Sequence, residues 1–163
     1  MEGVISFMNF NIIPTKGVNN LKHGYSVYEV LEELGEPDNT DVWQLSHEDD
    51  INIHFFYRFD ENQCLCLSFS QDTNFLLQQI TVSNLDFTIL DLNFYGKDLE
   101  YAKKQLSSLN LNYRIDEDKK IVDPLNRREN SKDLFVEEWD LFLNFNEDIC
   151  FEMHSLGSDI PLI

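Results

Sequence analysis

Three strand-length segments joined by short polar turns constrain this chain more than any other feature. Residues 51–83 read "INIHFFYRF", the turn "DENQ", "CLCLSFS", the turn "QDTN" and "FLLQQITVS". Each segment is rich in aromatic and β-branched residues, and the turns are too short to carry a crossover helix. Consecutive segments therefore pair as antiparallel neighbours, a meander.

A helix stands ahead of the meander, in "HGYSVYEVLEELGEPD". Ser26 followed three residues later by Glu29 is a capping box. Val27, Val30, Leu31 and Leu34 form an apolar stripe of helical period. Gly35 suits the position after the last turn, and Pro37 prevents continuation. A second helix is expected in "KDLEYAKKQLSSLN", opened by Gly96 and capped by Asp98, with Leu99, Ala102, Leu106 and Leu109 in phase. The remainder reads as a first strand at residues 4–13 and a loop over residues 14–24. Strand runs follow at residues 41–47 and 87–96, and residues 111–116 and 119–123 form a small hairpin. Residues 123–133 are a loop, and strands at 134–145 and 150–155 close the chain.

The fold class that follows is α+β, an antiparallel sheet with two helices packed on it. The 163 residues suit one domain. An internal repeat is also legible, with halves 1–84 and 85–163. Gly24 aligns with Gly96, Ser26 with Asp98, Val30 with Ala102 and Leu34 with Leu106. "FFYRFDENQCLCL" lies against "LFLNFNEDICFEM", setting Phe59 on Phe145 and Cys64 on Cys150. The finer expectation is two tandem helix-plus-antiparallel-sheet units.

Charge narrows the partners. The chain carries 30 acidic and 12 basic side chains, a net charge of −18. Nucleic acids and anionic membranes repel such a surface, whereas basic proteins are drawn to it. The acids are concentrated: Glu29 to Glu61 holds eleven of them against the single base Arg58, a net of −10. Within it, Glu32, Glu33, Glu36, Asp38, Asp41, Glu48, Asp49, Asp50, Asp60 and Glu61 are the candidate partner-binding residues. Tyr28, Trp43 and Tyr57 are potential aromatic anchors, although core packing is the expected place for Trp43.

Catalytic and metal signals are sparse. His23, His47, His54 and His154 have no i, i+4 spacing with a glutamate, and each is expected on a polar or half-buried strand face. Cys64, Cys66 and Cys150 lie among Leu and Phe, where cysteine is usually a small core residue. An odd cysteine count fits a reducing compartment. There is no GxSxG, GxGxxG or Walker loop. The N-terminus has no basic region or small-residue cleavage site, and no run reaches about 18 apolar residues. The expectation is a cytoplasmic, non-enzymatic protein without cofactor or metal.

Gly24, Ser26, Glu29, Val30, Leu34, Gly35, Pro37 and Trp43 form a pattern that resembles the helix-to-sheet unit of small outer-membrane-assembly lipoproteins. It is also similar to each tandem half of beta-lactamase-inhibitory protein, and "CLCLSFSQDTNFLLQQITV" resembles the hairpin that follows there. The compact, acidic, motif-poor character resembles bacterial immunity proteins of contact-dependent and other polymorphic toxin systems. That resemblance implies tight binding to a cognate toxin domain, basic and in many cases a nuclease. The alternatives from the residues alone are a nucleic-acid mimic, a scaffold module and an enzyme without a recognisable motif.

Overall fold

The computed structural model describes residues 9–44, 51–117 and 131–161. The first elements are β1 (Phe10–Ile13), β2 (Gly17–Val18) and β3 (Leu21–Lys22), followed by α1 (Val27–Leu34). Four strands come next: β4 (Asn39–Gln44), β5 (Ile51–Asp60), β6 (Gln63–Ser70) and β7 (Leu76–Ser83). The remaining elements are β8 (Phe87–Ile89), β9 (Leu92–Asn93), α2 (Leu99–Ser108), β10 (Tyr113–Glu117), β11 (Ser131–Val136), β12 (Leu141–Asn146) and β13 (Ile149–Leu156).

Both helices begin as their residues dictate. In α1 the Ser26 hydroxyl accepts from the Glu29 amide at 3.1 Å, and the Glu29 carboxylate accepts from the Ser26 amide at 3.1 Å. In α2 the Asp98 carboxylate accepts from the Tyr101 amide at 2.7 Å. Val30, Leu34, Leu99, Ala102 and Leu106 are buried. Leu109, expected in the apolar stripe of α2, caps the helix instead and is 45% exposed.

The strands form an eight-stranded antiparallel sheet in the order β10-β11-β12-β13-β7-β6-β5-β4. Two-residue periodicity sends one set of side chains inward: Phe55, Tyr57, Leu65, Leu67, Phe69, Ile80, Val82, Leu134, Val136, Leu141, Leu143 and Met153. These join the buried helix residues in a single cluster. A second, five-stranded sheet in the order β3-β2-β1-β8-β9 contributes Phe10, Ile12, Val18, Leu21, Phe87 and Ile89 to the same cluster. Each such side chain removed from water is worth about 1.5–3 kcal/mol. Helices and small sheet therefore lie on one face of the large sheet, and among the described residues no layer covers its other face.

The α+β class and the two helices on an antiparallel sheet agree with the sequence; several local expectations do not. Residues 14–24, expected as a loop, contain β2 and β3. Gly17 makes this possible: its φ is 149°, and a Cβ there would stand 1.9 Å from the Leu21 carbonyl oxygen. The run at 87–96 is a tight hairpin of two short strands, turning through Leu90 and Asp91 at positive φ. The single run at 134–145 is β11 and β12, divided by a short 3-10 turn at Glu137–Trp139. The segment 111–116 pairs through β10 with β11, whereas the expected partner at 119–123 lies outside the described residues. The small sheet, with its parallel β1/β8 pair, has no counterpart in the sequence reading.

Candidate functional site

The outward-pointing residues of the large sheet form the candidate site. Cross-strand registers place them in rows. The central row runs Asn39–Phe56–Cys66–Thr81–His154–Phe142–Phe135–Arg114 across all eight strands. One flanking row holds Asp41, His54, Ser68 and Gln79, and the other holds Arg58, Cys64, Ser83, Glu152, Asn144 and Asp133. The middle of this face is a groove of about 730 Å³ whose lining includes His54, Phe56, Cys66, Thr81, Glu152 and His154.

Aromatic rings occupy both ends of the face. At one end Trp43 meets His54 edge-on at 5.8 Å, and Arg58 stands 5.9 Å over Phe56. At the other, Phe135 and Phe142 are 4.6 Å apart with Arg114 4.6 Å over Phe135. Trp43 is 62% exposed, so the expectation that it packs in the core is corrected. The cause is topological: β4 is the edge strand, and all six of its residues are exposed.

A polar network fills the centre. The His54 Nδ1 lies 2.8 Å from the Ser68 hydroxyl. The His154 Nδ1 lies 2.8 Å from the Thr81 hydroxyl and 3.0 Å from the Gln79 amide nitrogen. The tautomer in which Nδ1 accepts from the Gln79 N–H carries its proton on Nε2, the nitrogen that faces the Glu152 carboxylate. The Ser83 hydroxyl donates to the other Glu152 oxygen at 2.7 Å. Glu152, His154 and Thr81 thus follow the carboxylate–imidazole–hydroxyl order of a nucleophile relay. Thr81, however, lies within β7, which is paired on both sides, with β6 and with β13. The strand amides beside it are engaged in those ladders and are not free to hold an oxyanion at the hydroxyl. The arrangement fixes the polar groups in position.

Burial acts on His54 and on the two cysteines of this face. It lowers the His54 pKa, with Asp41 offsetting part of the effect. Burial raises the Cys64 thiol, and burial reinforced by Cys64 pushes Cys66 up to about 12. Both cysteines, expected in the core, line the groove as half-buried protonated thiols, a poor state for nucleophilic attack or metal binding. Cys150 is buried as expected, its pKa pushed up to about 12 by burial. No group of three or more His, Cys, Asp or Glu side chains suited to a metal ion occurs among the described residues.

The acidic candidates are divided by the sheet. Glu32, Glu33 and Glu36 belong to α1 and its exit, on the helix-covered side; the Tyr57 hydroxyl, which points to that side, donates to Gly35 O at 2.8 Å. Asp41 lies on the uncovered face opposite His54, and Glu61 borders the groove. Asp38 sits at the junction and accepts from the Arg58 amide at 2.7 Å. Asp60 is exposed at the β5–β6 turn. Glu48, Asp49 and Asp50 lie outside the described residues, as does His47. The sequence reading missed Phe56, Phe135, Phe142, Gln79, Thr81 and Glu152. A period-two count from Cys66 or His154 selects the right side of each strand, but only the register joins strands into one surface.

No described helix is long and apolar enough to cross a membrane. Searches against family models, curated proteins and solved structures returned no match.

Proposed function

We propose that the protein is an inhibitor of the immunity type, which binds a cognate basic toxin domain of a bacterial system and neutralises it by covering its working surface. The observation that carries this reading is the uncovered face of the eight-stranded sheet, with aromatic rings at both ends and a preorganised polar centre. Eight strands at about 4.8 Å spacing span about 34 Å, and strands of this length run about 20–27 Å. The resulting face of roughly 700–900 Å² matches what each partner buries in a standard protein interface. Half-exposed Phe and Trp beside hydrogen-bonding groups are the residue types that dominate such interfaces. The net charge of −18 accelerates encounter with a basic partner and disfavours nucleic acid. The reading places the protein in the cytoplasm, needs no cofactor and assigns it no reaction of its own.

The face is built, in this reading, from two tandem units related by a two-fold operation. Gly24 donates to the Leu77 carbonyl at 2.9 Å and Leu77 to that of Tyr25 at 2.7 Å; Gly96 donates to Cys150 at 2.9 Å and Cys150 to Lys97 at 2.9 Å. Where the halves meet, Asn84 donates to Phe151 at 2.8 Å and Gly157 to Gln78 at 2.7 Å. A shift of 73 positions, Leu77 to Cys150, exchanges the members of this last pair of bonds and superposes Thr81 on His154, which are cross-strand partners. Thr81 and His154 thus mark the dyad. In this reading β7 corresponds to β13 and Leu77 to Cys150, a pairing one strand away from the sequence alignment of Cys64 on Cys150.

Co-expression with the toxin-like open reading frame immediately upstream tests the function. Rescue of growth and co-purification are expected, and both are lost in a Trp43→Ala/Phe142→Ala variant that remains folded. Failure of the wild-type protein to rescue or co-purify refutes that pairing. A nucleic-acid mimic would need its carboxylates along one extended face. The division of Glu32 and Glu36 from Asp41 and Glu61 across the sheet counts against that alternative.

A further inference from the structure

We infer that the free edge of β4 is a strand-addition site, and that its occupant is an extended basic segment of the protein partner. The inference rests on the proposed reading only in the partner's basic character. In an edge strand, every second residue turns its N–H and C=O away from the sheet, leaving a template for another chain. Natural edges are protected by lysine, proline, bulges or a covering element. β4, with the sequence NTDVWQ, has no lysine or proline, and its register with β5 is continuous from Asn39↔Phe56 to Gln44↔Ile51. All six residues are exposed, and nothing among the described residues covers the strand. Val42 and Trp43 are 65% and 62% exposed and point to opposite sides of the sheet, so an added strand gains an apolar neighbour on each face.

Opposite the other edge the situation differs. β10 carries Arg114, which lies 3.5 Å from Asp116 and stacks on Phe135, so that edge bears its own charge pair. Around β4 the charge is predominantly negative. Glu36 and Asp38 precede the strand, Asp41 lies within it, and all are exposed. Arg58 stands beside them, its Nε donating to Asn39 Oδ1 at 3.1 Å while its backbone amide donates to Asp38. Alternating lysine or arginine on an incoming strand finds carboxylates there, whereas a second copy of this chain, itself at −18, brings like charge. The added strand also extends the uncovered face, because Asp41 and Trp43 belong to it. The groove and the edge then form one continuous contact.

The probe is a short peptide of alternating lysine and valine, acetylated and amidated, with a control N-methylated on every second amide. The control keeps the charge and removes one side's donors. Binding is read from fluorescence of the full chain: Trp43 is exposed at the edge, and Trp139 is buried at 6% exposure. The unmodified peptide is expected to bind at least about tenfold more tightly than the N-methylated one, and to lose about tenfold in an Asp41→Lys/Val42→Lys variant. Both positions are exposed, and circular dichroism checks that the variant folds. Ser107→Ala, exposed on α2 away from this face, leaves peptide binding unchanged. Equal binding of the two peptides, or undiminished binding to the variant, overturns the inference. Sedimentation of the free protein as a dimer that the same variant dissociates also overturns it, because a second copy then owns the edge. Toxin rescue is not part of this experiment, so failure of the immunity reading and failure of strand addition are separately visible.

Discussion

His23 makes the fold sensitive to acid by a calculable amount. Its ring is packed so closely that a methyl group added to Gly157 would stand 2.9 Å from Nδ1. Its Nε2 lies 2.9 Å from the Ser155 hydroxyl, and Nδ1 is buried without a hydrogen-bond partner. The neutral ring leaves only a lone pair unsatisfied at Nδ1, whereas protonation would bury an N–H and a charge there. Burial accordingly lowers the His23 pKa from 6.5 to about 4, and the Leu77 and Gln78 backbone and the Asp140 carboxylate offset only part of that cost. Above pH 6.5 the imidazole is neutral in both states and contributes no pH dependence. As pH falls from 6.5 to about 4, the unfolded chain takes up a proton that the folded chain refuses, and stability declines by at most about 1.4 kcal/mol per pH unit. Below pH 4 the deficit levels at about 3 kcal/mol, a ceiling because local opening would hydrate the ring. His23→Gln keeps a donor for Ser155 and does not titrate. The many carboxylates titrate in both proteins and cancel in the comparison. Urea unfolding followed by Trp139 fluorescence should therefore show the wild type losing about 3 kcal/mol more than His23→Gln between pH 7 and pH 4. With an m-value of about 2 kcal/mol/M, that is a midpoint difference of about 1.5 M. Parallel losses in the two proteins over this range would refute the reasoning.

Three further outcomes are expected. Ser26→Ala and Asp98→Ala each remove a helix cap and should each cost about 1 kcal/mol in thermal or urea unfolding; an unchanged midpoint for either would show that the helix start is held by packing alone. Charge reversal on the helix side, Glu32→Lys, should leave partner affinity at physiological salt within about twofold, while Asp41→Lys on the uncovered face reduces it by about tenfold or more; surface plasmon resonance against the co-purified toxin measures both, and equal losses would place the contact elsewhere. Cys150 is buried with its pKa pushed up to about 12, and should react with a disulfide reagent at neutral pH only as fast as the chain opens, so that its rate rises with urea. Stoichiometric labelling of Cys150 in the native protein within minutes would contradict that burial.

The sequence alone determined what depends on neighbours along the chain. The capping box at Ser26 and Glu29, the stop at Gly35, the cap at Asp98 and the meander over residues 51–83 all use contacts a few residues apart. Their local physics leaves little choice. The charge of −18 needed no structure either. What tertiary structure decided is which surface those elements present. Period-two alternation says that Cys66 and Leu65 point to opposite sides, but not which side is covered; the packing of α1, α2 and the small sheet on one face decides it. Trp43 reads as a core residue by composition and lies exposed because β4 is an edge strand, a fact set by pairing order. Glu32 and Asp41 are nine positions apart in one acidic run, yet the sheet stands between them. Glu152, His154 and Thr81 meet because β7 and β13, more than 70 residues apart in sequence, are hydrogen-bonded neighbours. Residues that distant are joined only by the register of two strands, and register is fixed by the whole core and not by any segment within it.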